Sequence, residues 1–311
     1  MAGERALDAH ACAHTSGPSL RSLAHRPTLA PANLGCRSTV AIDRSSTSAG
    51  RPSRRAHPGV VTTFPPALTV VPTYNEAATL HQLVEAFERG APGVDLLVVD
   101  DDSPDGTGAL ADRLAATRSW MHVLHRPGKD GLGNAYRAGF AWALEHDYEA
   151  IAQLDADLSH PPALVPQMLE ALGRGADLVL GSRYAPGGGS DGWPLHRRVA
   201  SRLGCALSSR TLGLPYTDLS GGLKLWRASA LRAIDVASTG SQGYVFQVET
   251  TQRAHRAGLR VVELPFTFRD RTAGQSKMHP GIALEGVRMV ARLRRDGWRP
   301  QRVASAARTG A

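Results

Sequence analysis

The sequence predicts an α/β protein built on a largely parallel sheet with helices on both faces. The first observation is a rhythm. From residue 67, short β-branched runs alternate with helical stretches, and the run centres Val70, Val98, Val123, Ile151 and Leu178 step by 28, 25, 28 and 27 residues. Each step accommodates a strand, a crossover helix and two turns. The second observation is that every run ends in a polar cluster, three of the five with glycine, and ligands of such sheets bind at the carboxyl ends of the strands. The segments between the steps do not resemble one another, so the period is architectural and not a repeat.

The first run, 67–71, leads into Pro72-Thr73-Tyr74-Asn75-Glu76. Asn75 is placed to cap the next helix, Tyr74 to flank a base, and Glu76 to accept from ribose or base. The second run, 94–99, leads into Asp100-Asp101-Asp102 and then Ser103-Pro104-Asp105-Gly106-Thr107. Ser103, Asp105 or Thr107 suits a helix N-cap. Capping does not require three adjacent carboxylates, whereas a carboxylate at this strand end can accept from a nucleoside. The third run, 121–124, precedes a loop at 125–133 in which Lys129 serves either a phosphate or only the surface. The fourth run, 149–154, delivers Asp155-Ala156-Asp157, followed by Ser159 and His160. Paired carboxylates at a strand end suit a hard divalent cation that keeps substrate phosphates as further ligands. Alone this pattern is weak, and its weight comes from the company it keeps. His160, before Pro161 and Pro162, reads as a turn residue. The fifth run, 176–181, ends in Gly181-Ser182-Arg183-Tyr184.

Beyond residue 190 the rhythm changes. A helix is expected over 194–213, a strand turning into a helix over 221–231, a helix over 243–258 and a strand over 259–268 with Pro265 at an edge or bend. A polar loop and a last helix over about 281–295 follow.

Charge is uneven. Residues 1–65 carry eight Arg against Glu4, Asp8 and Asp43, and residues 286–311 carry seven Arg against Asp296, so the excess of +8 belongs to the ends. A basic end suits an anionic partner, nucleic acid or membrane lipid. No nucleic-acid-binding module appears, and no nucleic-acid partner is expected. Cys12, Cys36 and Cys205 have no metal-ligand or disulfide spacing, which fits a reducing compartment. No apolar run approaches the roughly 18–20 residues of a membrane span, and no signal-peptide core is present. In the last helix Ile282, Val287, Met289, Val290 and Leu293 fall largely on one side, among Arg288, Arg292, Arg294, Arg295 and Arg299, with Trp298 beyond. Two readings are open: a helix lying in a lipid interface, or a core-packing helix with a charged back.

Taken in order, VPTYNE, VVDDDSPDGT, HRPGKDGLGNAYRAGF, QLDADLSHPP, GSRY and RTAGQSKM resemble glycosyltransferase family 2, and more narrowly the dolichol-phosphate (polyprenol-phosphate) mannosyltransferases. The resemblance covers about 67–280. It implies a GT-A-type nucleotide-diphospho-sugar transferase fold with a mostly parallel central sheet flanked by helices. It implies a catalytic domain over 66–280; outside it, residues 1–65, rich in Ala, Ser, Arg, Pro and His without periodicity, read as a disordered basic N-terminal extension, and 281–311 as a basic amphipathic C-terminal helix and tail. Pro72, Tyr74, Glu76, Val99 and Asp101 would hold the nucleoside. Asp155, Ala156 and Asp157, with Ser159 adjoining, would hold Mg2+ or Mn2+ and the diphosphate. Arg183 would face sugar and phosphates, Arg271 and Lys277 would close on the diphosphate, and Arg197 and Ser201 would receive an acceptor phosphate. Asp102 stands where many relatives have Asn.

The implied reaction is inverting transfer of mannose from GDP-mannose to polyprenyl phosphate at the cytoplasmic face of a membrane, on the membrane surface itself or through a membrane-anchoring protein. An acceptor phosphate monoester, with a second pKa of about 6, is already dianionic at neutral pH and needs no strong base. The demand is instead for cations to overcome repulsion between two anions. A UDP-sugar hexosyltransferase and a non-catalytic nucleotide-sugar or lipid-binding scaffold are the alternatives.

Overall fold

The computed structural model describes residues 64–270, 288 and 290–295. Within them the chain runs β1 (Ala67–Thr73), α1 (Ala77–Gly90), β2 (Asp95–Asp100), α2 (Thr107–Ala115), β3 (Met121–His125), α3 (Leu132–Glu145), β4 (Ala150–Gln153), α4 (Leu164–Gly173) and β5 (Leu178–Ser182). It continues with β6 (Gly189–Asp191), α5 (Leu195–Leu212), β7 (Lys224–Arg227), α6 (Ala228–Ala233), α7 (Gly243–Arg256), β8 (Val261–Pro265) and β9 (Thr267–Arg269).

A seven-stranded sheet has the order β3-β2-β1-β4-β7-β5-β8. All neighbours pair parallel except β7, which runs antiparallel to both β4 and β5. The five strands of the sequence rhythm therefore point the same way, and their carboxyl ends share one edge. The α/β class is as expected, whereas the insertion of β7 between β4 and β5 is not a feature of the rhythm. The expected strand at 259–268 divides at Pro265: β8 forms the sheet edge, and β9 pairs parallel with the short β6.

Side chains alternate across each strand, which is how a sheet buries both faces. Ala67, Val71, Leu96 and Val98 join a core with Leu83 and Phe87 of α1, Leu114 of α2 and Met168 of α4. Leu68, Val70, Leu97 and Val99 join the opposite core with Tyr136 and Phe140 of α3, Leu231 of α6 and Phe246 of α7. Helix α3 lies close enough to the sheet that a Cβ on Gly139 would collide with Val70.

Helix α7 is buried continuously from Val245 to Ala254, including Gln247, Glu249, Thr250, Thr251, Gln252 and Arg253. Buried polar groups require partners. Lys224 of β7 supplies three of them from the sheet, donating to the Gln247 carbonyl at 2.6 Å and to the Thr251 and Thr250 hydroxyls at 2.9 and 3.1 Å. Gln153 links Gln247 to the Trp226 indole. On the outer side, Val290 is buried against Leu214, Leu219 and Val248, with Leu293 packed beside it. The described part of the last helix thus spends Val290 and Leu293 on the core and leaves Arg288, Arg292, Arg294 and Arg295 exposed. At those two positions the lipid-facing alternative gives way to the core-packing one. Ile282, Val287, Met289 and Trp298 lie outside the described residues. No helix among the described residues is long and apolar enough to cross a membrane.

Candidate active site at the carboxyl edge of the sheet

The ends of β1 and β2 are tied together before any ligand is considered. The Thr73 hydroxyl donates to Asp100 Oδ1 at 3.1 Å, and the Asp101 amide donates to the Thr73 carbonyl at 3.1 Å. Asp100 is buried and also accepts from the Ser103 amide and hydroxyl. Its carboxylate shapes the turn and is spent doing so.

The segment 103–107 caps a helix, but not principally its own. Ser103 Oγ accepts from the Asn75 amide at 3.1 Å, Thr107 Oγ1 from the Glu76 amide at 2.9 Å, and Asp105 Oδ2 from the Ala77 amide at 3.0 Å. Three successive N–H groups entering α1 are thereby satisfied from the neighbouring loop. In each hydroxyl the proton is directed onward, Ser103 to Asp100 and Thr107 to Asp105 Oδ1, both at 2.6 Å. Burial acts to raise the Asp105 carboxyl, but bonds from Thr107 and Ala77 outweigh it and hold it below the usual range. The expectation that Asn75 caps α1 is corrected: Asn75 takes a left-handed φ of 60°, and its side chain makes no cap. The consequence is chemical. A first-helix N-terminus commonly binds a diphosphate, but here a resident carboxylate already occupies that end, so diphosphate chemistry belongs elsewhere on the edge.

Of the five residues expected at a nucleoside, Pro72, Tyr74 and Glu76 are half-buried and Asp101 is buried at the strand ends. Val99 is fully enclosed in the core, facing Gly139, and can offer a ligand only its backbone. Lys129 is exposed and stands 4.0 Å over the Tyr74 ring, a cation–π contact. Asp101 pairs with Arg126 at 2.5 Å. Burial raises the Asp101 carboxyl above its ordinary value, and the Arg126 charge opposes that shift without cancelling it. Arg126 was not identified from sequence; its position directly after β3 was the available signal.

The carboxylate pair sits past β4. Asp155 is about one-third exposed and accepts from the buried Tyr136 hydroxyl at 3.3 Å. Burial first, then the nearby Asp155 charge, pushes the Tyr136 phenol well above its ordinary value, so it remains a donor. The Asp155 amide donates to His160 Nδ1 at 3.3 Å. His160 is buried against Phe266 and Phe268 and supports the turn, its Nδ1 also lying 3.7 Å from Asp155 Oδ2. Asp157 Oδ1 accepts from the Ser159 amide and hydroxyl at 3.1 and 2.5 Å. Ser159, buried, is thus a donor to Asp157, a structural use beside the metal-adjoining place expected of it. A Cβ on Gly222 would stand 3.0 Å from both Asp155 oxygens, so glycine there keeps the carboxylate open.

No group of three or more His, Cys, Asp or Glu is gathered for a metal among the described residues. Two carboxylates on one turn, one of them part-exposed, fit a Mg2+-like ion that takes its remaining oxygens from substrate and water.

Arg183 follows β5 but is buried. Its Nε and Nη2 donate to Asp218 at 2.7 Å each, Nη2 reaches Ser220 at 2.9 Å, and its amide also donates to Asp218. Burial acts to raise the Asp218 carboxyl, and Arg183 outweighs it and holds the group below the ordinary range. The expected sugar- and phosphate-facing guanidinium is therefore engaged in the wall of the site, with Trp193 and Phe268 packed around it. Asp218, Ser220 and Gly222 were not identified from sequence, although Asp-Leu-Ser-Gly-Gly at 218–222 was a visible signal.

Arg197 and Ser201 lie on the inward side of α5. Arg197 stacks 4.1 Å over Trp193 and pairs with Asp270 at 3.2 Å, and Ser201 Oγ accepts from the Tyr184 hydroxyl at 2.7 Å. Arg271 and Lys277 lie outside the described residues.

The family model for glycosyl transferase family 2 matches residues 69–235. An undecaprenyl-phosphate mannosyltransferase of Micrococcus luteus is 49% identical over 225 residues, covering 72% of this chain and 92% of that protein. A polyprenol monophosphomannose synthase of Mycolicibacterium smegmatis is 44% identical over 225 residues, covering 72% and 85%. Among solved structures, glucosyl-3-phosphoglycerate synthase from Mycobacterium tuberculosis with Mn2+, UDP and phosphoglyceric acid superposes with a TM-score of 0.53 at 20% identity, covering 76% and 80% of the two chains. The same enzyme with Mg2+ and UDP gives 0.53 at 21%, covering 76% and 81%. At that identity the likeness is one of fold.

Proposed function

The chain belongs to glycosyl transferase family 2, and from that premise we propose that it transfers mannose from GDP-mannose to a polyprenyl phosphate, with inversion at the anomeric carbon. The carrying observation is the 49% identity over 225 residues, 72% of this chain and 92% of the relative, to an undecaprenyl-phosphate mannosyltransferase. The site supports the reading. Its carboxylate pair, part-exposed Asp155 and buried Asp157, stands past the end of β4, and its acceptor-side cation, Arg197, is held on α5.

The base would lie beside Tyr74 and Lys129, with Pro72, Glu76, Asp101 and the Val99 backbone around the nucleoside. A divalent cation, Mg2+ or Mn2+ as in the fold's solved relatives, would be held by Asp155 and Asp157 and would neutralise the departing diphosphate. Tyr136 and His160 orient that turn. Arg183 and Asp218 keep the wall rigid, so the sugar meets a preformed surface. Arg197 and Ser201 would take the acceptor phosphate, which must compete with Asp270 for the guanidinium. Arg271 and Lys277 are proposed to supply further positive charge at the diphosphate. The reaction would take place at the cytoplasmic face of a membrane, where the acceptor resides.

The test is transfer of radiolabelled sugar into organic-extractable lipid by the purified chain, with polyprenyl phosphate, Mg2+ and either GDP-mannose or UDP-glucose. Label from GDP-mannose alone, abolished by EDTA, is the expected result. Label from UDP-glucose alone would refute the assigned donor, and label from neither would refute the lipid acceptor.

A further inference from the structure

Four large apolar side chains stand out as exposed among the described residues, and all four are on α5: Leu195 at 72%, Val199 at 48%, Leu203 at 64% and Leu207 at 54%. Their spacing of four residues makes a single stripe along the helix. It lies opposite the inward face, where Arg197 pairs with Asp270, Ser201 meets Tyr184 and Cys205 is buried. A helix that gains so little from core packing needs another reason to show a row of leucines to water, because contiguous exposed apolar surface marks an interaction site.

Charge decides what covers it. Helix α5 contains no Asp or Glu, while Arg198, Arg202 and Arg210 are exposed along and beside the stripe. A cavity of about 430 Å³ opens beside α5, with Arg202, Arg210 and the Ser209 hydroxyl in its wall. An apolar face on a helix that carries arginines and no acidic residue matches an anionic lipid surface, whose acyl region takes the apolar side chains and whose headgroups take the guanidiniums. A second copy of this chain would set the same arginines against one another. The described part of the last helix, by contrast, turns Val290 and Leu293 into the core.

We propose that α5 is the element that docks this protein on an anionic membrane, with Leu195, Val199, Leu203 and Leu207 in the lipid and Arg198, Arg202 and Arg210 among the headgroups. At 18 residues the helix presents about 27 Å of contact lying flat. The lipid-acceptor reading of the site enters only in what docking achieves: Arg197 and Ser201, on the other face of the same helix, are held one helix thickness from the lipid.

The test is co-flotation of the full chain with vesicles of phosphatidylglycerol and phosphatidylcholine, or of phosphatidylcholine alone, for wild type and for Leu203→Glu/Leu207→Glu. Binding to the anionic vesicles that falls roughly tenfold or more in the variant, at an unchanged unfolding midpoint, is the expected result. Undiminished binding by the variant overturns the proposal, as does absence of wild-type binding. A wild-type dimer that the variant converts to monomer without vesicle binding would assign the stripe to a second copy and also overturns it. Transfer to a short, water-dispersed prenyl phosphate, measured alongside, is expected to be unchanged in the variant. Failure of that transfer in wild type would count against the proposed reaction and leave the vesicle result to decide the surface.

Discussion

Replacing Asp218 by Asn is expected to destabilise the protein by about 3–5 kcal/mol, the cost of breaking a buried ion pair by removing one partner. Asp218 accepts three N–H bonds from Arg183, and both side chains are buried. Asn keeps one acceptor oxygen and turns an amide N–H toward the guanidinium, leaving its charge uncompensated in a dry wall. Against a total stability of about 5–15 kcal/mol, the loss is large, equivalent to a fall in melting temperature of about 6–20 °C for a body of this size. Urea unfolding followed by circular dichroism measures it. The sign with pH follows from the Asp218 carboxyl lying below its ordinary value when folded. The wild-type contribution is complete above the unfolded pKa, about 3.9, and is lost as pH falls from there through the folded value. The variant is therefore expected to lose its disadvantage progressively below about pH 4. Arg183→Met with Asp218→Leu, which removes both charges, should recover much of the stability. A cost for Asp218→Asn below about 1 kcal/mol at pH 7 would refute the view that the pair is desolvated and structural.

Four further variants have expected outcomes. Asp105→Ala removes the cap on the Ala77 amide and the brace on Thr107; it should cost about 0.5–2 kcal/mol and raise the donor KM more than it lowers kcat, because it loosens the loop carrying Tyr74 and Glu76. Asp157→Ala should abolish transfer at an unchanged fold, and Tyr136→Phe should weaken Mn2+ binding by roughly tenfold; paramagnetic resonance titration reads both, and full Mn2+ affinity in Asp157→Ala would dismiss the metal assignment. Burial holds the Lys224 amine well below its ordinary value, so the unfolded chain binds more protons, and wild-type stability should rise with pH up to about 10.4. Lys224→Met should flatten that rise in urea midpoints measured across pH 7–10, and an unaltered slope would count against burial lowering the Lys224 amine.

The sequence by itself determined the parts written in local pattern. Hydrophobic runs at a near-constant step located five parallel strands, because a buried strand and its crossover helix leave a signal within about thirty residues. The polar clusters closing those runs located the site edge, and the Asp155–Asp157 pair marked its anionic centre. What the tertiary structure alone decided concerns partners far apart in the chain. Arg183 looks like a phosphate ligand until Asp218, 35 residues on, takes its guanidinium. Asp105 looks like a cap for its own helix until α1 arrives with the Ala77 N–H from 28 residues upstream. The antiparallel β7, the Tyr136 support under Asp155 and the pairing of Asp101 with Arg126 are of the same kind. The clearest case is the last helix beside α5: periodicity shows that the last helix has an apolar side, but only packing reveals that its Val290 and Leu293 turn inward while Leu195, Val199, Leu203 and Leu207 of α5 face out. Periodicity is a property of one segment, whereas burial depends on which other segment comes to lie against it.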